Sequence, residues 1–317
     1  MNGFEVFRAF VPELAEVLDD PESSEVEVNS SRTVFVERGG TRTLVPMELD
    51  ERRLMTACVV MASRLDGTEL CEEHPIVDTT LADGSRVAIS IPPVSVDGVT
   101  LTIRKHQRRY YSLETLVALG MLTGFEAAGL RAAVEGRENI LISGGTSTGK
   151  TTLADALAHS IPGDERVIVI EDTTEIELPH PNQRRFKAVA GKVSIDDVLR
   201  ATLRHSPDRI ILGEVRGKEA SQLLELLNTG HGGSISTIHA SSAALALRRL
   251  STCVMKADTG VPYAAIRSEI ADSINVVVHL KRRDGKRELA EILRVKGYND
   301  RTDEYLFAKL EDVETIQ

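Results

Sequence analysis

The sequence predicts an α/β protein: a mainly parallel sheet covered by helices, preceded by a smaller α+β domain. Three observations predict it. From Asn139 onward, short and solidly apolar runs at residues 140–142, 167–170, 209–212 and 234–238 alternate with helical stretches, and strands without polar alternation are those buried on both faces of a parallel sheet. The first hundred residues instead show short alternating runs at 25–28, 33–36, 86–89 and 100–103, the period of half-buried strands. Between them, Leu54, Cys58, Met61 and Leu65 recur at helical spacing over residues 52–65.

With 317 residues the chain is long enough for two domains. The pair Pro92-Pro93 interrupts the first with a rigid turn, because proline cannot donate to a ladder. A polar, basic run from Lys105 to Tyr111 then leads to Ser112, which reads as the N-cap of a helix beginning at Leu113. The predicted organisation is therefore an α+β domain over 1–104, a linker over 105–112 and the α/β domain over 113–317. There is no internal repeat and no low-complexity tract.

Composition narrows the class. At 42% hydrophobic and 27% charged residues the chain reads as an ordinary globular protein. Its formal charge of -10 argues against coating nucleic acid, which needs clustered Lys and Arg, although a locally basic pore escapes that test. Cys58, Cys71 and Cys253 are scattered without a CxxC pair, so they read as thiols in a reducing cytoplasm rather than as a zinc or disulfide framework. Met1-Asn2-Gly3-Phe4-Glu5 opens no secretory leader, and no segment approaches the roughly 20 apolar residues needed to cross a bilayer. Any work at a membrane is expected from its side.

The stretch Gly144-Gly145-Thr146-Ser147-Thr148-Gly149-Lys150-Thr151 fits G-x-x-x-x-G-K-[ST] between an apolar strand and a helical run. Glycines there let successive N–H groups turn toward phosphates, aided by the positive end of the following helix. The chemistry predicted is a P-loop for ATP: Lys150 on the β- and γ-phosphates and the Thr151 hydroxyl on Mg²⁺, with Thr152 also counted among the nucleotide-binding residues.

Binding nucleotide is not hydrolysing it, which takes carboxylates to organise the metal and the attacking water. Two apolar strands end in them: Ile168-Val169-Ile170 delivers Glu171 and Asp172, and Ile210-Ile211-Leu212-Gly213 delivers Glu214, with Arg216 two residues on. Carboxyl ends of strands are where open α/β sheets bind ligands. Glu214 is assigned as the Walker B carboxylate, acting through metal-bound water, and Glu171 as the residue that positions the nucleophilic water; the two roles could be exchanged. A further apolar strand ends in His239, which could sense the γ-phosphate. His231 sits among glycines that mark a turn whatever its side chain does.

These four segments, in this order, resemble the type II/type IV secretion traffic ATPases, whose members carry a Walker A loop, an Asp box, a Walker B strand and a His box. Here they are residues 144–151, Glu171-Asp172-Thr173-Thr174-Glu175, Gly213-Glu214-Val215-Arg216-Gly217 and residues 230–240. Within the family the chain is similar to the TrbB branch of conjugal-transfer ATPases, through Gly84-Ser85-Arg86-Val87, Ile91-Pro92-Pro93-Val94 and Thr102-Ile103-Arg104-Lys105. The resemblance implies a RecA-like P-loop NTPase domain and a homohexameric ring at the cytoplasmic face of the inner membrane, energising a type IV secretion or conjugation channel. It implies ATP between the two domains, with Arg104 and Arg86 as arginines set against the phosphates. A type IV pilus assembly or retraction ATPase, and a nucleotide-gated scaffold with little turnover, are the competing readings. The four-cysteine zinc motif frequent in pilus-extension ATPases is not in the sequence.

Overall fold

The computed structural model describes residues 3–67, 69–81, 83–106, 111–172, 175–176, 178–189 and 192–309. The chain divides into two compact units, Met1–Arg109 and Tyr110–Gln317. Of the linker expected over 105–112, residues 107–110 lie outside the described residues.

The first unit begins with helices α1 (Gly3–Phe10) and α2 (Ala15–Asp19), followed by strands β1 (Ser23–Ser30), β2 (Thr33–Arg38) and β3 (Thr41–Val45). Helix α3 (Glu51–Asp66) comes next, then β4 (Ile76–Thr80), β5 (Arg86–Ser90) and β6 (Thr100–Arg104). Asp50 caps α3 by accepting the Arg53 N–H, and the helix stops at Gly67 in the left-handed region. Among the described residues the strands form one antiparallel sheet in the order β3-β2-β1-β6-β5-β4. Its buried face, including Val26, Val28, Val34, Val36, Ile89 and Leu101, packs with Phe7 of α1 and with Leu54, Cys58 and Met61 of α3.

The second unit opens with α4 (Leu113–Ala118), capped by Ser112, and α5 (Gly124–Glu135), started by a Thr123/Glu126 capping box. Then follow β7 (Ile140–Gly144), α6 (Lys150–Ala158), β8 (Val167–Glu171), β9 (Gln183–Lys187), α7 (Ile195–Thr202) and β10 (Arg209–Val215). The unit continues with α8 (Glu219–Asn228), β11 (Ile235–Ile238), α9 (Ala243–Met255), α10 (Tyr263–Ser273), β12 (Val276–Arg283), β13 (Lys286–Asn299) and β14 (Glu304–Lys309). The sheet order is β14-β13-β12-β7-β11-β10-β8-β9. Pairing is parallel from β12 through β9, and only the β13 and β14 edge is antiparallel.

Successive residues of the central strands go to opposite cores, as a two-residue side-chain period requires. Ile140, Ile142, Val167, Val169, Ile211, Val276 and Val278 pack beneath α4, α5 and α6. Leu141, Ile168, Ile170, Ile210, Leu212, Ile238 and Val277 pack with α7 to α10 on the other side. That double burial is why these strands carry no polar alternation. Among the described residues no helix is long and apolar enough to cross a membrane.

Asn139, buried just before β7, sets the strands that flank the phosphate loop. Its Oδ1 accepts the N–H groups of Gly233 (2.9 Å) and Ser234 (3.0 Å) ahead of β11, and its Nδ2 donates to the Ser273 carbonyl (2.7 Å) ahead of β12. Its backbone N–H donates to Asn275 Oδ1 at 2.8 Å. Removing that side chain strands buried donors, which costs on the order of 1 to 3 kcal/mol per group. We expect Asn139→Ala to lose about 3 kcal/mol of stability in urea unfolding; a loss under about 0.5 kcal/mol would show the entry to β7 is held elsewhere.

Candidate nucleotide site

Parallel pairing puts the carboxyl ends of β7, β8, β10 and β11 on one edge of the sheet. That edge collects the phosphate loop after β7, Glu171 at the end of β8, Glu214 near the end of β10 and His239 directly after β11.

The loop is built to turn N–H groups outward. Ser147 and Gly149 both adopt positive φ (59° and 95°), and Gly149 leads into α6. Among the described residues, no backbone N–H from Gly145 to Gly149 donates to a protein acceptor. Such a concave run of unpaired N–H groups at a helix N-terminus suits an anion. Close approach is obligatory below it: a Cβ on Gly144 would stand 2.5 Å from Thr148 Oγ1 and 2.6 Å from the Leu280 carbonyl. Gly145, Thr146 and Ser147 are exposed, Thr148 is buried with its hydroxyl donating to the Gly145 carbonyl (3.0 Å), and Thr151 and Thr152 are half-buried.

Lys150 folds back over this loop. Its Nζ donates to the carbonyls of Gly145 (2.8 Å) and Gly144 (3.2 Å) and lies 3.5 Å from both ring nitrogens of His239. Burial pulls the ammonium below the usual lysine range, with the Glu214 carboxylate pulling the other way. Burial, followed by the Lys150 charge, likewise lowers the His239 pKa, so the imidazole is neutral at pH 7.

Glu214 completes a continuous polar chain. Its Oε1 is 3.3 Å from His239 Nε2, and its Oε2 accepts from Arg216 Nη2 at 2.9 Å, while Arg216 Nη1 donates to Asp172 Oδ2 at 2.5 Å. Burial alone would raise the Glu214 pKa, but the hydrogen bond and charge of Arg216, with His239 and Lys150, bring it below the ordinary value. Glu214 is thus an anion. The β10/β11 register slips by one residue between Leu212 and Val215, a bulge that re-aims a side chain at the strand end. The Thr237 hydroxyl donates to the Gly213 carbonyl (2.6 Å) and pins it.

Glu171 is different. It is 3% exposed, and its carboxyl accepts the backbone N–H groups of Glu175 (3.1 Å) and Ile176 (3.2 Å). Burial outweighs those bonds and pushes its pKa up to about 8. A side chain at Gly213 would crowd it, since a Cβ there would lie 3.0 Å from Glu171 Cγ. Within the acidic box, Thr173 and Thr174 lie outside the described residues.

A metal has no ready-made cage here. Among the described residues no three His, Cys, Asp or Glu side chains cluster to hold one. That donor set fits Mg²⁺ arriving with phosphates, because Mg²⁺ keeps several waters and takes one or two protein oxygens. The two residues expected to face it, Thr151 and Glu214, stand in the first turn of α6 and near the end of β10.

Arg86 and Arg104 lie in the first unit, directly opposite one another across β5 and β6, with Glu25 opposite Arg104 across β1. Like charges facing each other across strands repel. Arg104 is exposed, and the Nε of Arg86 is buried without a protein partner among the described residues. Sequence reasoning did not single out the clamp that Arg216 makes between Glu214 and Asp172. The signal was there in the two acidic boxes, each offering this arginine a carboxylate.

The family model described as Type II/IV secretion system protein matches residues 13–302. The chain belongs to that family. It is 32% identical over 291 residues to the conjugal transfer protein TrbB of Rhizobium radiobacter, covering 91% of this chain and 88% of that one. It is also 32% identical over 317 residues to the type IV secretion system protein VirB11 of Bartonella henselae, covering 87% and 89%. Among solved structures, the VirB11 ATPase from the Brucella suis type IV secretion system, in complex with sulphate, is similar with a TM-score of 0.50 and 31% identity over 92% of this chain and 94% of that one. The pilus retraction motor PilT with bound ADP shares the fold at a TM-score of 0.64 and 20% identity, over 91% and 82%.

The raised Glu171 pKa makes a signed prediction. The folded value of about 8 lies above the unfolded 4.5, so the stability this group confers is complete below pH 4.5 and is lost as the pH rises toward 8. Glu171→Gln, which keeps an acceptor and cannot ionise, should gain on the wild type across that window by up to about 1.4 kcal/mol per pH unit in urea unfolding. Parallel stability curves for the two proteins would contradict the assignment.

Proposed function

We propose that the chain is an ATP-hydrolysing motor that energises a type IV secretion or conjugative transfer apparatus. One observation carries this: an unpaired N–H cradle and Lys150 stand beside an anionic Glu214 within a single polar chain. Family membership supplies the biological setting, since the relatives named above are a conjugal transfer protein and type IV secretion proteins. On the same basis the working form is a homohexamer, peripheral to the cytoplasmic face of the inner membrane and engaged with channel components there.

In this reading the N–H groups of residues 145–149 and the Lys150 ammonium bind the β- and γ-phosphates, replacing water by fixed dipoles. Bound Mg²⁺ would neutralise phosphate charge, with Thr151 and Glu214 as its protein-side oxygens. Glu214 is anionic at neutral pH and held in place by Arg216, so it is ready to act on metal-bound water. Glu171 carries a proton in the same conditions and must lose it before it can polarise the nucleophile. His239, neutral and within reach of both Lys150 and Glu214, is placed to register the charge that arrives between them. Arg104 and Arg86 are proposed as the charge donors for the transferred phosphoryl group, a role that their like-charge pairing on one sheet face supports.

Phosphate release with MgATP tests this. Lys150→Ala should abolish nucleotide binding or turnover, and Glu214→Gln should bind ATP and hydrolyse it at least about 100-fold more slowly. Near-normal hydrolysis by Glu214→Gln would remove that residue from its role, and tight ATP binding with no turnover in the wild-type oligomer would favour a nucleotide-gated scaffold. Arg104→Ala should keep the wild-type melting temperature and lose about 100-fold or more in rate; a wild-type rate would take Arg104 out of the reaction.

A further inference from the structure

The sheet order leaves the phosphate loop with two flanks. Toward β11 and β10 lie His239 and Glu214. Toward β12 lies the β12–β13 hairpin, to which no role has yet been given. β12 runs beside β7 until Leu280 pairs with Gly144, then continues past the end of β7 through Lys281, Arg282 and Arg283. Asp284 and Gly285, at φ 50° and 80°, turn the chain, and β13 brings Lys286 and Arg287 back. Five of the seven residues from Lys281 to Arg287 are basic, in a chain whose net charge is -10.

These cations are not equivalent. Lys281 and Arg283 share the Glu288 carboxylate, at 3.2 and 3.4 Å. Arg287 is exposed, and its guanidinium makes no ion pair or hydrogen bond among the described residues. Its stem is nevertheless fixed against the loop. Arg287 Cδ lies 3.3 Å from where a Cβ on Gly149 would stand, beside Met121 Cε at 3.1 Å. The Leu289 N–H donates to the Met121 carbonyl at 2.9 Å and holds this part of β13 in place. Gly149 therefore lies against the stem of Arg287 on one side and precedes the buried Lys150 in sequence.

We propose that Arg287 is a nucleotide-binding residue, its guanidinium forking onto a phosphate of a bound nucleoside di- or triphosphate from the β12 flank of the loop. The inference rests on the phosphate-loop reading above. Lys150 acts as a point charge already committed to two loop carbonyls. A planar guanidinium adds what an ammonium cannot, two parallel donors matched to a phosphate edge. The competing explanation is packing alone, in which the Arg287 stem merely covers Met121 and the charged head is solvated.

Titration of the full chain with N-methylanthraniloyl-ADP, read by fluorescence and repeated as displacement by inorganic pyrophosphate, separates the possibilities. Arg287→Met preserves the stem and removes the charge, and should weaken both ADP and pyrophosphate by about tenfold or more, with Arg287→Lys in between. Lys286→Ala, one residue away with the same change in net charge, should stay within about twofold. Arg287→Met binding like the wild type would overturn the proposal in favour of packing. An equal loss in Lys286→Ala would overturn it in favour of diffuse charge, and weakened ADP with unchanged pyrophosphate would overturn the phosphate contact in favour of the base or sugar. A wild-type chain that binds neither probe would overturn the phosphate-loop reading together with this inference.

Discussion

The site depends on one constraint above others: β7 is paired between two parallel neighbours, β11 and β12, up to its last residues, which sets where the loop after it begins. Asn139 fixes the entry by tying the segments ahead of β11 and β12 to it. At the exit, Gly144 lies so close to the Leu280 carbonyl that no side chain fits. Ser143 Oγ adds a further tie, donating to the Val278 carbonyl at 3.0 Å and lying 3.0 Å from His279 Nδ1. A loop anchored in this way meets an anion with its N–H groups already aimed. The reorganisation that water would have to undergo is avoided, which is the physical content of preorganisation.

Electrostatics around the loop follow from where each carboxyl sits relative to the arginines. Glu214 and Asp172 share Arg216, and the shared cation keeps Glu214 ionised although it is half-buried. Glu171, one position before Asp172, turns inward and accepts the backbone N–H groups of Glu175 and Ile176, and burial outweighs them, so the proton stays. Two neighbouring acidic residues thus divide into one buried, protonated group and one that pairs with an arginine. Lys150 and His239 complete the arrangement: each is made less basic by burial, and each is close enough to feel a change in charge on the other.

Much of this was legible in the sequence. Strands β7, β8, β10 and β11 announced themselves because burial on both faces demands unbroken apolar residues, and the P-loop was visible because few residue types can make its turns. The edge strands were not legible. β9, with the sequence Gln-Arg-Arg-Phe-Lys, and β3, nearly all exposed, have no apolar period to read, since an edge strand gains its order from a neighbour's hydrogen bonds. Of the site, Glu214 and His239 could be named from their place at strand ends, while the protonated state of Glu171 could not. That state comes from the burial of the carboxyl, a tertiary event, which outweighs the N–H groups it accepts from Glu175 and Ile176. The Lys281 to Arg287 run carries no motif, and only the sheet order sets it beside the phosphate loop.

Hydrogen–deuterium exchange of the peptide covering residues 144–152, with and without ADP, tests the central claim most directly. The account predicts strong, nucleotide-dependent protection of the Gly145 to Gly149 amides, which have no protein acceptor among the described residues and would gain phosphate oxygens. Exchange unchanged at saturating ADP would contradict it.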